Sequence, residues 1–241
     1  MNLETGAPQI AIVCALKEEF AAVQCGLGAA CGERFELIRA GMGPASAKRV
    51  ATESASRSAP PRWIISTGFS GALAPGMNVG DIVVSSKIID AESGKVYEFA
   101  TDAIIQRIQS ALSSLKIRIH SGRTVCTSEA VFSSVAKRAL GDKSQAVAVD
   151  MESRALAENV NASKTHVIVI RTISDAVTDE LPAEVGEFLT EAGDVRIGKI
   201  IRFILKCPSN IKRLMELKKR SDLAAAALTQ VWKILRDVPF D

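Results

Sequence analysis

His166-Val-Ile-Val-Ile-Arg-Thr-Ile-Ser-Asp175 is the stretch on which the fold turns. Val167 to Ile170 is an unbroken run of β-branched apolar residues, the composition of a strand covered on both faces. The run continues into Arg171, Thr172, Ser174 and Asp175. In an open α/β sheet the carboxyl ends of strands open onto the ligand crevice. A buried carboxyl at such a position can act as a proton donor. Asp175 can equally cap the next helix or pair with Arg171.

Working outward, Gln145-Ala-Val-Ala-Val-Asp-Met-Glu152 is a second short apolar run that ends in acid. It leads into helix-favouring Ser153-Arg-Ala-Leu-Ala-Glu158. A strand ending here delivers Met151 as an apolar wall and Glu152 as a carboxylate able to hold two vicinal hydroxyls. The alternative is a first-turn acid that stabilises the helix dipole. Ile10-Ala-Ile-Val-Cys-Ala-Leu16 reads as the first strand, and Lys17-Glu18-Glu19-Phe20 opens a helix. An acid at that turn can orient a water or a hydroxyl, or simply serve the helix start.

Two glycine turns complete the set. Ala40-Gly41-Met42-Gly43-Pro44 precedes a helical segment, and Ser66-Thr67-Gly68-Phe69-Ser70-Gly71-Ala72 follows apolar Trp63-Ile64-Ile65. A strand–glycine turn–helix lets backbone N–H groups approach an anion or a sugar. Neither turn has the Gly-Lys-Ser/Thr ending of a Walker loop or the Gly-x-Gly-x-x-Gly pattern. Val79-Gly80-Asp81 reads as a turn into a strand, with a structural role for Asp81.

The pattern predicts strands at 9–16, 35–40, 62–67, 80–88, 118–126, 146–151 and 166–173. It predicts helices at 17–27, 44–56, 101–115, 129–139 and 152–161. This alternation describes a three-layer α/β/α domain around a mixed, largely parallel sheet. The chain of 241 residues, 47% hydrophobic and with net charge +3, is ample for one such domain, 1–241. Residues from about 194 to 241 form a basic helical extension. Between Val195 and Arg220, nine lysines and arginines face a lone acid, Glu216. Ile197, Ile200, Ile201, Ile204 and Leu205 recur at helical spacing, Pro208 breaks the pattern, and an alanine-rich helix runs from Ser221 to Asp237. Two readings stand: a core-packing helix with a solvated basic face, or a segment that rests on anionic lipid. The stretch lacks interleaved aromatics, which argues against nucleic acid.

Cys14, Cys25, Cys31, Cys126 and Cys207 are odd in number and scattered, without a disulfide framework, so a cytoplasmic location is expected. Cys14 and Cys126 sit in apolar runs and are expected to be buried. Met1 to Gln9 lacks the basic start and apolar core of a signal peptide. No apolar run reaches the roughly 18 residues needed to span a bilayer. His120 and His166 have no metal-like partners, and no metal site is expected.

In order, the chain carries Ala-Leu-x-Glu-Glu, Gly-Met-Gly-Pro, Ser-Thr-Gly-x-Ser-Gly-Ala-Leu-Ala-Pro, Val-Gly-Asp-Ile-Val-Val, Val-Asp-Met-Glu and Arg-Thr-Ile-Ser-Asp. In that order it resembles the nucleoside phosphorylase and nucleosidase superfamily over roughly Ile10 to Leu189. The likeness is strongest to the branch of methylthioadenosine/adenosylhomocysteine nucleosidases and hopanoid-associated, adenosylhopane-processing enzymes. It implies cleavage of the N-glycosidic bond of a 5′-substituted adenosine, without metal or organic cofactor. By the same resemblance Glu19 positions the attacking water, Met151 and Glu152 bind the ribose, and Asp175, preceded by Ser174, protonates the purine at N7. Arg171 is structural, and Val131 and Phe132 pack the base. Phe69, Ser70 and Gly71 line the substrate side. Gly41, Gly43 and Ser66 mark the phosphate or water side. Family phosphorylases often carry an arginine at the position of Ser66 and a serine at that of Phe69, both of which help bind phosphate. Their absence favours water. Gly41–Gly43, Ser70 and Arg49 leave phosphorolysis, with phosphate as co-substrate, as the rival. A nucleoside-binding protein without turnover is the reading from another class. The resemblance also implies a homo-oligomer, with a dimer favoured.

Overall fold

The structure, a computed structural model, describes residues 9–160, 164–188, 190–207 and 210–240. Segment 1–8 and Pro208, the expected helix break, lie outside the described residues. Among the described residues eight strands form one sheet: β1 (Ile10–Cys14), β2 (Phe35–Arg39), β3 (Trp63–Ala72), β4 (Ile82–Asp90), β5 (Val96–Glu98), β6 (Ile119–Cys126), β7 (Ala146–Asp150) and β8 (His166–Asp175). β1–β2, β1–β3, β3–β8, β4–β6 and β6–β7 pair in parallel. β3–β7, β4–β5 and β4–β8 pair antiparallel, so the sheet is mixed as expected. The pairs β3–β8–β4–β6–β7–β3 close a ring of strands at one end of the sheet. That ring gathers the carboxyl ends of β3, β7 and β8.

Successive residues of the central strands point to opposite faces. Ile12, Cys14, Ile65, Ile168 and Ile170 pack with α1 (Lys17–Leu27), α3 (Asp102–Leu112) and α7 (Asn210–Leu235). Ala11, Val13, Ile64, Val167 and Val169 pack with α2 (Gly43–Ala55) and α5 (Ser153–Glu158). An apolar residue at every position of Val167–Ile170 is therefore what a strand between two helical layers requires. Cys14 and Cys126 are buried in these layers.

Two expectations are corrected, and one strand was not expected. The glycine stretch after Ile65 is no strand–turn–helix connection: β3 runs on to Ala72, because β8 pairs it from Trp63 to Gly71 and β7 pairs its end. The helix expected at 129–139 is α4, Ser134–Ser144. The Ser133 hydroxyl accepts the Ala136 N–H at 3.1 Å and starts it there, while the Phe132 carbonyl is held by the Leu181 N–H at 2.9 Å. The short strand β5, a hairpin partner of β4, carries no pattern long enough to read.

The basic extension divides in two. Its last part belongs to the core: Ala224, Leu228, Val231, Trp232 and Leu235 of α7 are buried against α1 and the sheet. Gly26 permits this contact, since a Cβ there would come 2.6 Å from that of Trp232. The other part, α6 (Ile197–Lys206) and the start of α7, keeps an exposed apolar stripe. Among the described residues no helix is long and apolar enough to cross a membrane. Asp81 has the structural role expected, accepting from Asn78 N–H and pairing with Arg118 and His120.

Candidate active site

A cavity of about 240 Å³ opens where β1, β3, β7 and β8 end. Its walls include Leu16, Met42, Phe69, Val131, Val149, Met151, Leu181 and Val185, with the carboxyl groups of Glu19, Asp150, Glu152 and Asp175 among its polar groups. Three acids expected from scattered segments thus meet in one place.

Glu19 lies in the first turn of α1 and folds back over its start. Its Oε2 accepts the N–H groups of Ala15 and Leu16 at 2.9 Å each. Its Oε1 accepts the Phe69 N–H at 2.7 Å. The helix-start role and the site role are therefore one. Gly68 makes the approach possible: its φ is +144°, and a Cβ there would lie 2.5 Å from the Glu19 carboxyl. The N–H that the glycine stretch was expected to offer to an anion is offered to an internal carboxylate. Burial pushes the Glu19 pKa up, against the opposing pull of Arg171 and the three N–H donors.

β7 delivers Asp150, Met151 and Glu152 in succession. Asp150, which the sequence reading did not single out, takes the capping duty for α5. Its Oδ1 accepts from Ser153 N–H and Oγ at 3.1 and 2.8 Å. That frees Glu152 to face the cavity, with Oε1 on the Gly43 N–H at 2.9 Å. The helix-dipole alternative for Glu152 gives way because its neighbour fills that role. Burial is also the largest influence on Glu152 and raises its pKa to about 7, with Asp150 adding to the rise and Arg171 opposing it.

Arg171 is the fully buried cation between these acids. Its Nε and one terminal nitrogen bind Asp150 Oδ2 at 3.1 and 2.9 Å, and the latter reaches Ser66 Oγ at 2.9 Å. Glu152 Oε2 is 3.7 Å away. Burial works against its charge, yet Asp150, Glu152 and Glu19 together raise its pKa. A buried arginine left without such partners would cost several kcal/mol, which explains why an arginine at mid-strand needs Asp150.

Asp175 ends β8 beside a bulge, where Ser70 pairs with Ile173 but Gly71 pairs with Asp175. Gly71 leaves room for it, since a Cβ there would sit 3.0 Å from Asp175 Oδ2. Ser174 Oγ donates to Asp175 Oδ1 at 2.8 Å. Asp175 neither caps a helix nor pairs with Arg171. Its partner is Lys137 of α4, Nζ to Oδ2 2.5 Å, a residue the sequence reading missed.

The remaining expected residues divide. Ser70, Gly71, Val131 and Ser174 line the cavity with Phe69 and Met151. Phe132 lines the neighbouring groove instead. Gly41, Gly43 and Ser66 stand outside the lining. The Gly43 N–H is bound to Glu152 and the Ser66 hydroxyl to Arg171. Arg49 is held by Glu53 and the Ala40 carbonyl. No lysine or arginine is among the described residues that line the cavity, and no cluster of histidine, cysteine or acid among the described residues has the disposition of a metal site.

The raised Glu152 pKa has a consequence for stability. The folded chain binds the proton more tightly than the unfolded chain, so this contribution is full below about pH 4.5 and is lost as pH rises through about 7. The loss is on the order of 3 kcal/mol. Urea unfolding of the ligand-free protein at pH 5 and pH 8, with Glu152→Gln alongside, is expected to give a smaller pH difference for the variant. An equal difference in both would remove Glu152 as its source.

A three-layer α/β/α domain with carboxylates gathered at the strand ends around an apolar-walled cavity defines a class of small-molecule-binding α/β proteins. The chain belongs to the phosphorylase superfamily, whose family model matches residues 27–205. It is similar to the 5′-methylthioadenosine/S-adenosylhomocysteine nucleosidase of Pseudoalteromonas translucida, 27% identical over 176 residues, covering 66% of this chain and 74% of the relative. The nucleosidase of the same name from Bacillus licheniformis is 29% identical over 161 residues, covering 60% and 69%. In fold it is similar to the crystal structure of the Helicobacter pylori nucleosidase of that name, with TM-score 0.68, 15% identity and coverage of 95% and 97%.

Proposed function

We propose that the protein hydrolyses the N-glycosidic bond of a 5′-substituted adenosine and releases adenine. The observation that carries this reading is the convergence of Glu19, Glu152 and Asp175 on one apolar-walled cavity. In the reaction the C1′–N9 bond breaks and its electron pair goes to the base. Asp175 supplies the proton that neutralises the base at N7. Glu152 holds the ribose hydroxyls, with Met151 beneath the sugar. Water forms the new bond to C1′ and gives its proton to Glu19. This is the logic of glycoside hydrolysis with a base as leaving group. General acid and base groups of this kind contribute about 10²–10⁴-fold each.

Val131 and Val149 offer apolar surface to the base. Phe69, Leu181 and Val185 favour an apolar 5′ substituent over a hydroxyl. The reading uses no metal or organic cofactor. Water is favoured over phosphate because the lining holds no cation and the Gly43 and Ser66 donors are already engaged. Adenine release is expected from methylthioadenosine, adenosylhomocysteine or an adenosyl-lipid, with inosine much slower. Equal rates on inosine would overturn the 5′-substituted adenosine assignment. A homodimer is the proposed assembly, checked by sedimentation.

The α6 face is the proposed site of contact with the cytoplasmic membrane surface. Ile197, Ile201 and Leu205, one turn apart, are 68%, 51% and 79% exposed, and Met215 of α7 is 67% exposed. Lys199, Arg202, Lys212 and Arg213 flank them. Such a stripe suits the headgroup boundary of an anionic bilayer. Phe203 turns inward onto Phe188, which ties α6 to the segment carrying Val185 of the cavity. A membrane-resident substrate would thus be met beside the site. Binding to mixed phosphatidylcholine–phosphatidylglycerol vesicles, but not to phosphatidylcholine alone, is expected, with Ile201→Glu/Leu205→Glu abolishing it. No binding, together with a change of sedimentation in that variant, would assign the face to a second copy.

A further inference from the structure

Lys137 is a buried cation with no part in the reaction as written. Its side chain has no exposed surface. Besides Asp175 Oδ2 at 2.5 Å, its Nζ meets the carbonyls of Ala176 at 3.2 Å and Asp179 at 3.0 Å. The two carbonyls accept hydrogen bonds from the ammonium and hold it in place, while Asp175 Oδ2 lies within ion-pair distance, buried and without a hydrogen-bond partner. The charged groups around the pair are otherwise committed. Asp179 binds the Ala176 N–H and Arg220. Glu180 binds the Ser134 N–H. Across the cavity, Asp150 and Glu152 flank Arg171. Arg138 is the next residue of α4.

This geometry poses a chemical problem. A carboxylate clamped by an ammonium has no proton of its own to give, yet the base must receive one. The Lys137 ammonium stands 2.5 Å from Asp175 Oδ2 and can pass it a proton without a water path, while the Ser174 hydroxyl donates to Oδ1. When a nucleoside fills the cavity, excluded water weakens the hold on two separate charges and makes the neutral amine–carboxylic acid pair accessible.

We propose that Lys137 is the proton reservoir of Asp175, an inference that rests on the nucleosidase reading. An Nζ–H bond breaks and a carboxyl O–H bond forms. That O–H bond then breaks as the proton joins the base and the base takes the C1′–N9 electron pair. Lys137 is left as a neutral amine and Asp175 as a carboxylate. After release, the amine regains a proton from solvent, and Glu19 loses to solvent the one it took from water. Lys137 acts through Asp175 and is a positioning and supplying residue.

The test is the pH profile of kcat for adenine release by the wild type, Lys137→Met and Lys137→Arg, with adenine affinity measured by calorimetry. Both variants are expected to lose about 100-fold in kcat at alkaline pH with adenine affinity within about threefold. The deficit of Lys137→Met against the wild type at the same pH should shrink as the pH is lowered and solvent supplies the proton. That of Lys137→Arg should not, because a guanidinium keeps its protons. Wild-type-like kcat in Lys137→Arg would reduce Lys137 to a fixed charge and overturn the relay while leaving the nucleosidase reading intact. If neither variant folds, the wild type alone decides. Its kcat should not fall as the pH is raised through neutrality, and a fall there overturns the relay. A wild type that releases no adenine from any nucleoside overturns both readings.

Discussion

Asp175→Asn is expected to lower kcat by about 10³-fold while leaving nucleoside affinity within about threefold. The amide keeps the shape of the side chain and its contact with Ser174, so the cavity stays formed. What it loses is the carboxyl that carries a proton to the base. It also leaves the buried Lys137 ammonium facing a neutral group. Breaking a buried pair in this way costs about 3 kcal/mol, so a lower melting temperature should accompany the loss of rate. Stopped-flow adenine release and equilibrium binding of an unreactive nucleoside analogue separate the two effects. Near-normal turnover would remove Asp175 as the acid.

Glu19→Gln is expected to be nearly as severe, for a different reason. Both oxygens of Glu19 are acceptors: Oε2 for two N–H groups and Oε1 for a third. A glutamine must turn its NH₂ towards one set of these donors, whichever way it is flipped. Donor then faces donor in a buried site, at a cost of about 1–3 kcal/mol. The variant also lacks the base that takes the proton of water, a loss of about 10²–10⁴-fold in kcat. Single-turnover kinetics at saturating nucleoside, paired with urea unfolding, measure both. A variant with full stability and full rate would contradict the geometry and the role together.

Much of the sheet could be read because its central strands are apolar on both faces. Ile10–Cys14, Ala146–Asp150 and Val167–Ile170 are short runs that a helix of similar length would not need to fill at every position. Sequence and structure part where tertiary pairing overrides local chemistry. Gly68 and Gly71 look like a turn, yet they are strand positions that leave space for Glu19 and Asp175. Glu129 to Phe132 are compatible with helix, but the Ser133 cap starts α4 later and frees Ala130 and Val131 for the cavity.

The acids were legible as candidates because each ends a strand or opens a helix beside an apolar run, while the choice of Glu19 over Glu18 and the role of each came from the resemblance. Asp150 carried a readable signal: an arginine inside a buried strand demands a carboxylate, and Asp150 ends a neighbouring apolar run. Lys137 carried none. Within Ala136-Lys-Arg138 it looks like a solvated helix face, and only the register of α4 against β7 and β8 turns it inward. Phe132, set against the base by resemblance alone, lines the neighbouring groove, where the Leu181 N–H holds its carbonyl ahead of α4.

The measurement that tests the central claim most directly is adenine release from methylthioadenosine in phosphate-free buffer, repeated with added phosphate. Hydrolysis predicts release at the same rate in both, with the free sugar as the other product. Release that requires phosphate and yields a sugar 1-phosphate would contradict it and make the protein a phosphorylase. Tight nucleoside binding with no release under either condition would make it a binding protein that keeps the fold and its acids.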